Sequence, residues 1–204
     1  MEERNNHDVA GAFISFMVDE NYRDALQICD KNLVRQAQTI KAMDNRWHSA
    51  FLDAGGVFPD EPPIVSGPVP YMGEMEAMGF LLAYDQEQFL AGIELRNQKV
   101  FDYKITLYSE QAKAFIESVS MEKFENAAAF SLISATDIAQ AWQSMVSQKG
   151  AYQSLSVPWA VESGESSIYG YIASFERGDY KITLTTDADG VVTGFETETA
   201  EPAL

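Results

Sequence analysis

Cysteine is almost absent from this chain: Cys29 is the only one in 204 residues. No internal disulfide and no cluster of thiolate ligands can form from it. Histidine is nearly as scarce, with only His7 and His48, so the commonest general base is confined to two positions. No glycine-rich phosphate loop is present, because Gly55-Gly56 and the scattered other glycines break every such pattern. No apolar run approaches the roughly 20 residues that span a bilayer. The opening MEERNNHD is charged and lacks the apolar stretch of a signal peptide. Positive charge is short as well, with 14 Lys and Arg against 31 Asp and Glu, a formal −17. The deficit is even along the chain: residues 1–108 carry nine basic and seventeen acidic groups, residues 109–204 five and fourteen. Such a surface repels phosphate backbones, which excludes nucleic acid and an anionic membrane surface as expected partners.

What is present is a core. Apolar residues make up 46% of the chain and aromatics 12%, enough to fill one large domain or two small ones. The chain also repeats itself. AGAFISFMVDENYRDA from Ala10 matches AKAFIESVSMEKFENA from Ala112 at a spacing of 102. The shared apolar positions step by three and four: Ala10, Phe13, Ile14, Met17 against Ala112, Phe115, Ile116, Val119. That is the buried stripe of an amphipathic helix. Trp47, Ser49 and Gly55 then match Trp142, Ser144 and Gly150 at a spacing of 95, which leaves about seven extra residues in the first half, around KNLVRQAQTIKAM. Each Gly stands eight residues after its Trp, where it can end a helix in a conformation open to glycine.

Strand patterns follow each Gly. Tyr169, Tyr171, Ala173 and Phe175 alternate with smaller or less apolar residues, as do Tyr180, Ile182 and Leu184; Met78, Phe80, Leu82 and Tyr84 open the matching series in the first half. Helices followed by strands argue α+β with antiparallel sheets. The expected domains are residues 1–108 and 109–204, each two or three helices and then about four strands. The hexapeptide DYKITL occurs at Asp102–Leu107 and Asp179–Leu184. Its spacing of 77 is out of register with the repeat, so it marks the fourth strand of one half and the third of the other.

This order resembles the small DUF3887 domains of the NTF2-like superfamily, a cystatin-like α+β group. The second half carries the likeness through Trp142, Gly150, Phe175 and DADGVVTGF. The first half departs from it through the insertion near Asn32–Met43 and the Pro-rich stretch 59–70. The resemblance implies two NTF2-like cones in tandem, each a curved antiparallel sheet wrapped around helices to enclose an apolar pocket. The near-absent linker between the halves argues an internal pseudo-dimer that stays monomeric. The resemblance implies a bacterial protein that is exported or in the cell envelope; the other expected location is the cytoplasm. The resemblance carries no catalytic residues over to this chain.

The residues for such pockets are Trp47, His48 and Tyr84 in the first half and Trp142, Tyr169 and Tyr171 in the second. Trp47 and Trp142 at helical spacing fit core packing as well as pocket lining. His48, with a nearby Asp or Tyr, is the one place for an isomerase or dehydratase base, although an Asp opening a strand, such as Asp102, is ordinary turn chemistry. TDADGVV has aspartates too close to their Gly for an EF-hand loop, so a hairpin turn explains it better. The acidic Glu74–Met78 and Glu196–Glu201 lack any histidine, and no metal site or cofactor is expected. The chain therefore reads as a non-catalytic binding or interaction protein for a small apolar or aromatic ligand or a protein partner. The alternative is the isomerase or dehydratase.

Overall fold

The computed structural model describes residues 5–37, 39–56, 58, 61–70, 77–85, 87–163 and 166–200. Pro59, Asp60, Glu74, Glu76 and Glu201, which belong to the Pro-rich and acidic segments, lie outside them. The chain divides into two compact units, Met1–Leu107 and Tyr108–Leu204. Among the described residues the first runs α1 (Asn6–Val18), α2 (Tyr22–Gln27), α3 (Lys31–Gln36), α4 (Ile40–Asp53), β1 (Ile64–Pro70), β2 (Ala77–Ala83), β3 (Gln88–Arg96) and β4 (Lys99–Leu107). The second runs α5 (Glu110–Ser120), α6 (Phe124–Ala128), α7 (Ala135–Lys149), β5 (Tyr152–Leu155), β6 (Trp159–Ser163), β7 (Ser166–Phe175), β8 (Gly178–Thr186) and β9 (Val192–Thr199). The inserted helix α3 accounts for the longer first half.

The apolar stripes set the first helix of each unit. Ala10, Phe13, Ile14 and Met17 are buried on α1, and Ala112, Phe115, Ile116 and Val119 on α5. Side chains cap the starts: Asn5, Thr39, Ser109 and Ser134 each accept a backbone N–H three residues ahead, which satisfies a donor the helix itself leaves free. Both first helices stop in the same way. Glu20 and Glu122 take φ of 56° and 57°, so that the Asn21 N–H donates to the Phe16 carbonyl at 2.7 Å and the Lys123 N–H to the Ser118 carbonyl at 2.8 Å. Those bonds occupy carbonyls that the ending helix would otherwise leave bare.

The equivalence continues to the last strand. Isolated parallel bridges join Cys29 to Val100 and Ser131 to Val192, tying the exit of each short second helix to the unit's final strand. Phe13 meets Tyr103 of β4 at 5.4 Å between ring centroids, and Phe115 meets Phe195 of β9 at 5.5 Å. Tyr84 and Phe89 cross edge to face at 6.0 Å and 82°, Phe175 and Tyr180 at 5.9 Å and 82°. The glycines eight residues after each Trp do take positive φ, 85° at Gly55 and 86° at Gly150. At Gly150 ψ is −162°, a region essentially reserved for glycine.

The sheets depart from the cones implied by the resemblance. The first is four-stranded in the order β1-β2-β3-β4, and the second has five strands, with β5 and β6 both on β7, then β8 and β9. All named pairs are antiparallel. Both sheets stay open and uncurled, so the NTF2-like, cystatin-like cone is not what this chain forms. The physical reason is geometric. A barrel small enough to be filled by its own side chains takes about eight strands, and these sheets have half that number or little more. Helices cover the apolar face instead: Tyr103 of β4 packs under Phe13 of α1 and Trp47 of α4. The fifth strand arises where Pro158, which has no N–H, breaks one edge into β5 and β6. The hexapeptide copies lie in strands of different rank, β4 at a sheet edge and β8 between β7 and β9.

Candidate binding site

In the first unit the residues singled out from the sequence fall into one aromatic cluster. Trp47 on α4 is 1% exposed and meets Phe51 at 5.2 Å and Tyr103 at 5.7 Å. Phe51 in turn touches Phe89 at 4.8 Å, Phe58 at 5.2 Å and Tyr84 at 6.1 Å. Burial pushes the Tyr84 phenol up to about 12, so it remains protonated at neutral pH. Spacing four residues on from Trp47 already places Phe51 on the same helix face, and it is the residue that holds this cluster together.

His48 stands at the rim of the cluster. Its ring stacks on Phe58 at 3.8 Å, and its Nδ1 lies 2.8 Å from the Asp44 carbonyl oxygen and 3.0 Å from Asp44 Oδ1. Both neighbours are acceptors, so Nδ1 carries the proton and is committed to the residue one turn back on its own helix. Neither of the two clefts described below includes His48. Asp102 is occupied too: it pairs with Arg46, and its Oδ1 accepts the Tyr103 N–H at 2.8 Å. Arg46 also donates to Gln36 and lies 5.0 Å over the Tyr103 ring. It therefore fastens α3, α4 and β4 together, with Asp102 as its anchor on β4.

In the second unit the three candidates fill its interior. Trp142, 1% exposed, meets Tyr152 at 5.2 Å and Phe175 at 5.6 Å. Tyr171 OH lies 2.8 Å from Tyr108 OH, and Tyr169 OH accepts the Ser109 N–H at 3.3 Å. Burial pushes the phenols of Tyr108 and Tyr171 well above their usual range, which keeps this pair neutral. Tyr108, at the junction of the two sequence halves, had no periodicity to reveal it.

Open surface concavities lie elsewhere. One, of about 440 Å³, is formed by α5 and α6, with Glu117, Ser118, Met121, Lys123, Ala129 and Phe130 among its walls. Met121 is 62% exposed there. A smaller one of about 370 Å³ flanks the β8–β9 turn. In that turn Asp187 Oδ1 accepts the N–H groups of Asp189 at 3.0 Å and Val191 at 2.9 Å. Those bonds are the work of a turn-forming aspartate, as expected for TDADG.

Among the described residues no three His, Cys, Asp or Glu side chains gather as a metal site would require. No helix among them is long and apolar enough to cross a membrane. Cys29 is 3% exposed, donates to the Ala25 carbonyl at 3.1 Å, and has its thiol pushed up to about 12 by burial. Alkylation by iodoacetamide at pH 8 is expected to be negligible in the native protein and complete in denaturant. Rapid native labelling, read by mass spectrometry, would contradict that burial. No protein-family model, curated protein or solved structure matches the chain.

Proposed function

We propose that the protein is a non-catalytic recognition module that binds at the open cleft between α5 and α6 rather than inside either unit. One observation carries this reading: Trp47, Trp142, Tyr169 and Tyr171, the rings suited to line an internal pocket, are each at most 2% exposed. Rings so enclosed fill a core, at the density of a protein interior. A ligand seated among them would have to displace the packing that holds the unit together. The α5–α6 cleft demands no such displacement. Its size falls within the range of small-ligand sites, and it combines the apolar Met121 and Phe130 with the charged Glu117 and Lys123. An isomerase or dehydratase base at His48 would need a substrate cavity beside it, and neither of the two concavities includes His48.

The test is a two-dimensional NMR titration with two small aromatic probes, indole and benzamidine. The expected result is saturable movement of the Ser118, Met121 and Phe130 amides, with the indole N–H signals of Trp47 and Trp142 unmoved. Shifts centred on those two tryptophans, or none anywhere up to millimolar probe, would overturn the reading.

A further inference from the structure

The two units allow the α5–α6 cleft to be compared with its own counterpart, and the comparison names an occupant. The helix-ending hydrogen bonds set the register without ambiguity: the carbonyl that accepts the Asn21 N–H belongs to Phe16, and the one that accepts the Lys123 N–H belongs to Ser118. Glu20 and Glu122 share the same positive φ one residue before those donors. The bridges to the last strands extend the match, since Val100 donates to the Ile28 carbonyl at 3.0 Å and Val192 to the Phe130 carbonyl at 3.0 Å. Phe16 and Ser118 are thus the same position in two copies of one motif. In the first unit the Phe16 ring is half-buried and packs against the hydrophobic core. In the second, the hydroxymethyl of Ser118 stands there instead and lines the cleft, beside Phe130 where the first unit has Ile28.

Charge narrows the occupant further. Glu110, Glu117, Glu122 and Glu125 on and between α5 and α6 outnumber Lys113 and Lys123, and residues 109–204 carry five basic against fourteen acidic groups. Glu117 and Met121 are both exposed. The lining itself holds one charge of each sign, Glu117 and Lys123, and the net negative charge of the surrounding unit favours a partner of opposite charge and repels an anionic one. We infer that the cleft receives an aromatic side chain from a basic peptide segment of a partner protein, the incoming ring taking the place that Phe16 fills in the first unit. This inference rests on the cleft being the recognition surface, as proposed above.

End-blocked Lys-Phe-Lys, Lys-Ala-Lys and Glu-Phe-Glu, titrated into the intact protein and followed by NMR, separate the terms. Lys-Phe-Lys is expected to move the Ser118, Met121 and Phe130 amides, with each of the other two about tenfold or more weaker, since Lys-Ala-Lys lacks the ring and Glu-Phe-Glu reverses both positive charges. Ser118→Phe restores the residue of the first unit at a partly exposed site. It is expected to abolish Lys-Phe-Lys binding while leaving the melting temperature unchanged or higher. Equal binding of Lys-Phe-Lys and Lys-Ala-Lys would overturn the aromatic assignment, and unaltered binding by the Ser118→Phe protein would overturn the site. Indole or benzamidine bound at the cleft without any response to Lys-Phe-Lys would overturn the peptide and leave the recognition surface standing. Failure of all probes alike would remove both.

Discussion

Trp142→Ala is expected to destabilise the protein by about 3–5 kcal/mol, the range for deleting a large buried aromatic. The indole is 1% exposed, and Tyr152 and Phe175 close over it from two strands. Alanine would leave a void that two flat rings on separate strands cannot fill without giving up their own contacts. Part of the lost packing is therefore not recovered by relaxation. A conservative control sharpens the argument. Trp142 Nε1 is buried with no hydrogen-bond partner, and an unpaired buried donor costs about 1–3 kcal/mol. Trp142→Phe removes that donor while keeping a ring, so its net effect is expected to stay within about 1 kcal/mol of the parent. Urea unfolding followed by far-ultraviolet circular dichroism reads both. Equal midpoints for the alanine variant and the parent would show that the Trp142 site is not a closed core.

Gly170→Val is expected to cost about 2–3 kcal/mol, through collision rather than cavity. Gly170 on β7 pairs directly with Trp159 on β6, and the indole lies across the glycine so closely that an added Cβ would stand 2.1 Å from Trp159 Cε2 and Cζ2. No real contact is that short, so the ring must leave. Trp159 is 7% exposed, and its departure uncovers apolar area and removes the anchor of a five-residue edge strand. Stability and the near-ultraviolet tryptophan signal should fall together. Adding Trp159→Leu to Gly170→Val should recover part of the loss, since the second change removes the obstruction that the first created. A valine variant with the parent's stability and spectrum would mean that the indole does not occupy that face.

Much of this architecture could be read from local pattern. The three-and-four spacing of Ala112, Phe115, Ile116 and Val119 is a property of one helix, and so is the eight-residue step from Trp142 to Gly150. Alternation along Tyr169, Tyr171, Ala173 and Phe175 is likewise local. Whether a sheet of such strands curls around a pocket or lies open under helices is decided by contacts far apart in the chain. Tyr103 meeting both Phe13 and Trp47 is such a contact, and no periodicity in either segment encodes it. Asp102 illustrates the same limit, since its partner Arg46 lies far back in the chain on α4, whereas Asp44 stands one turn from His48 on the same helix. The α5–α6 cleft was within reach of the sequence. The signal was one mismatch in the repeat, Phe16 against Ser118, which is meaningful only once that position is known to face a hollow.

The bridges from Cys29 to Val100 and from Ser131 to Val192 bear on the order of events at the ribosome. Each clasps the end of a short helix to a strand synthesised roughly sixty to seventy residues later, a long loop to close. Neither clasp closes until its final strand has been made. The first unit reaches that point when Leu107 has cleared the exit tunnel, before most of the second unit has been translated. Nascent chains stopped just short of β4 should hold their helices loosely and yield to protease, and those extended past it should resist.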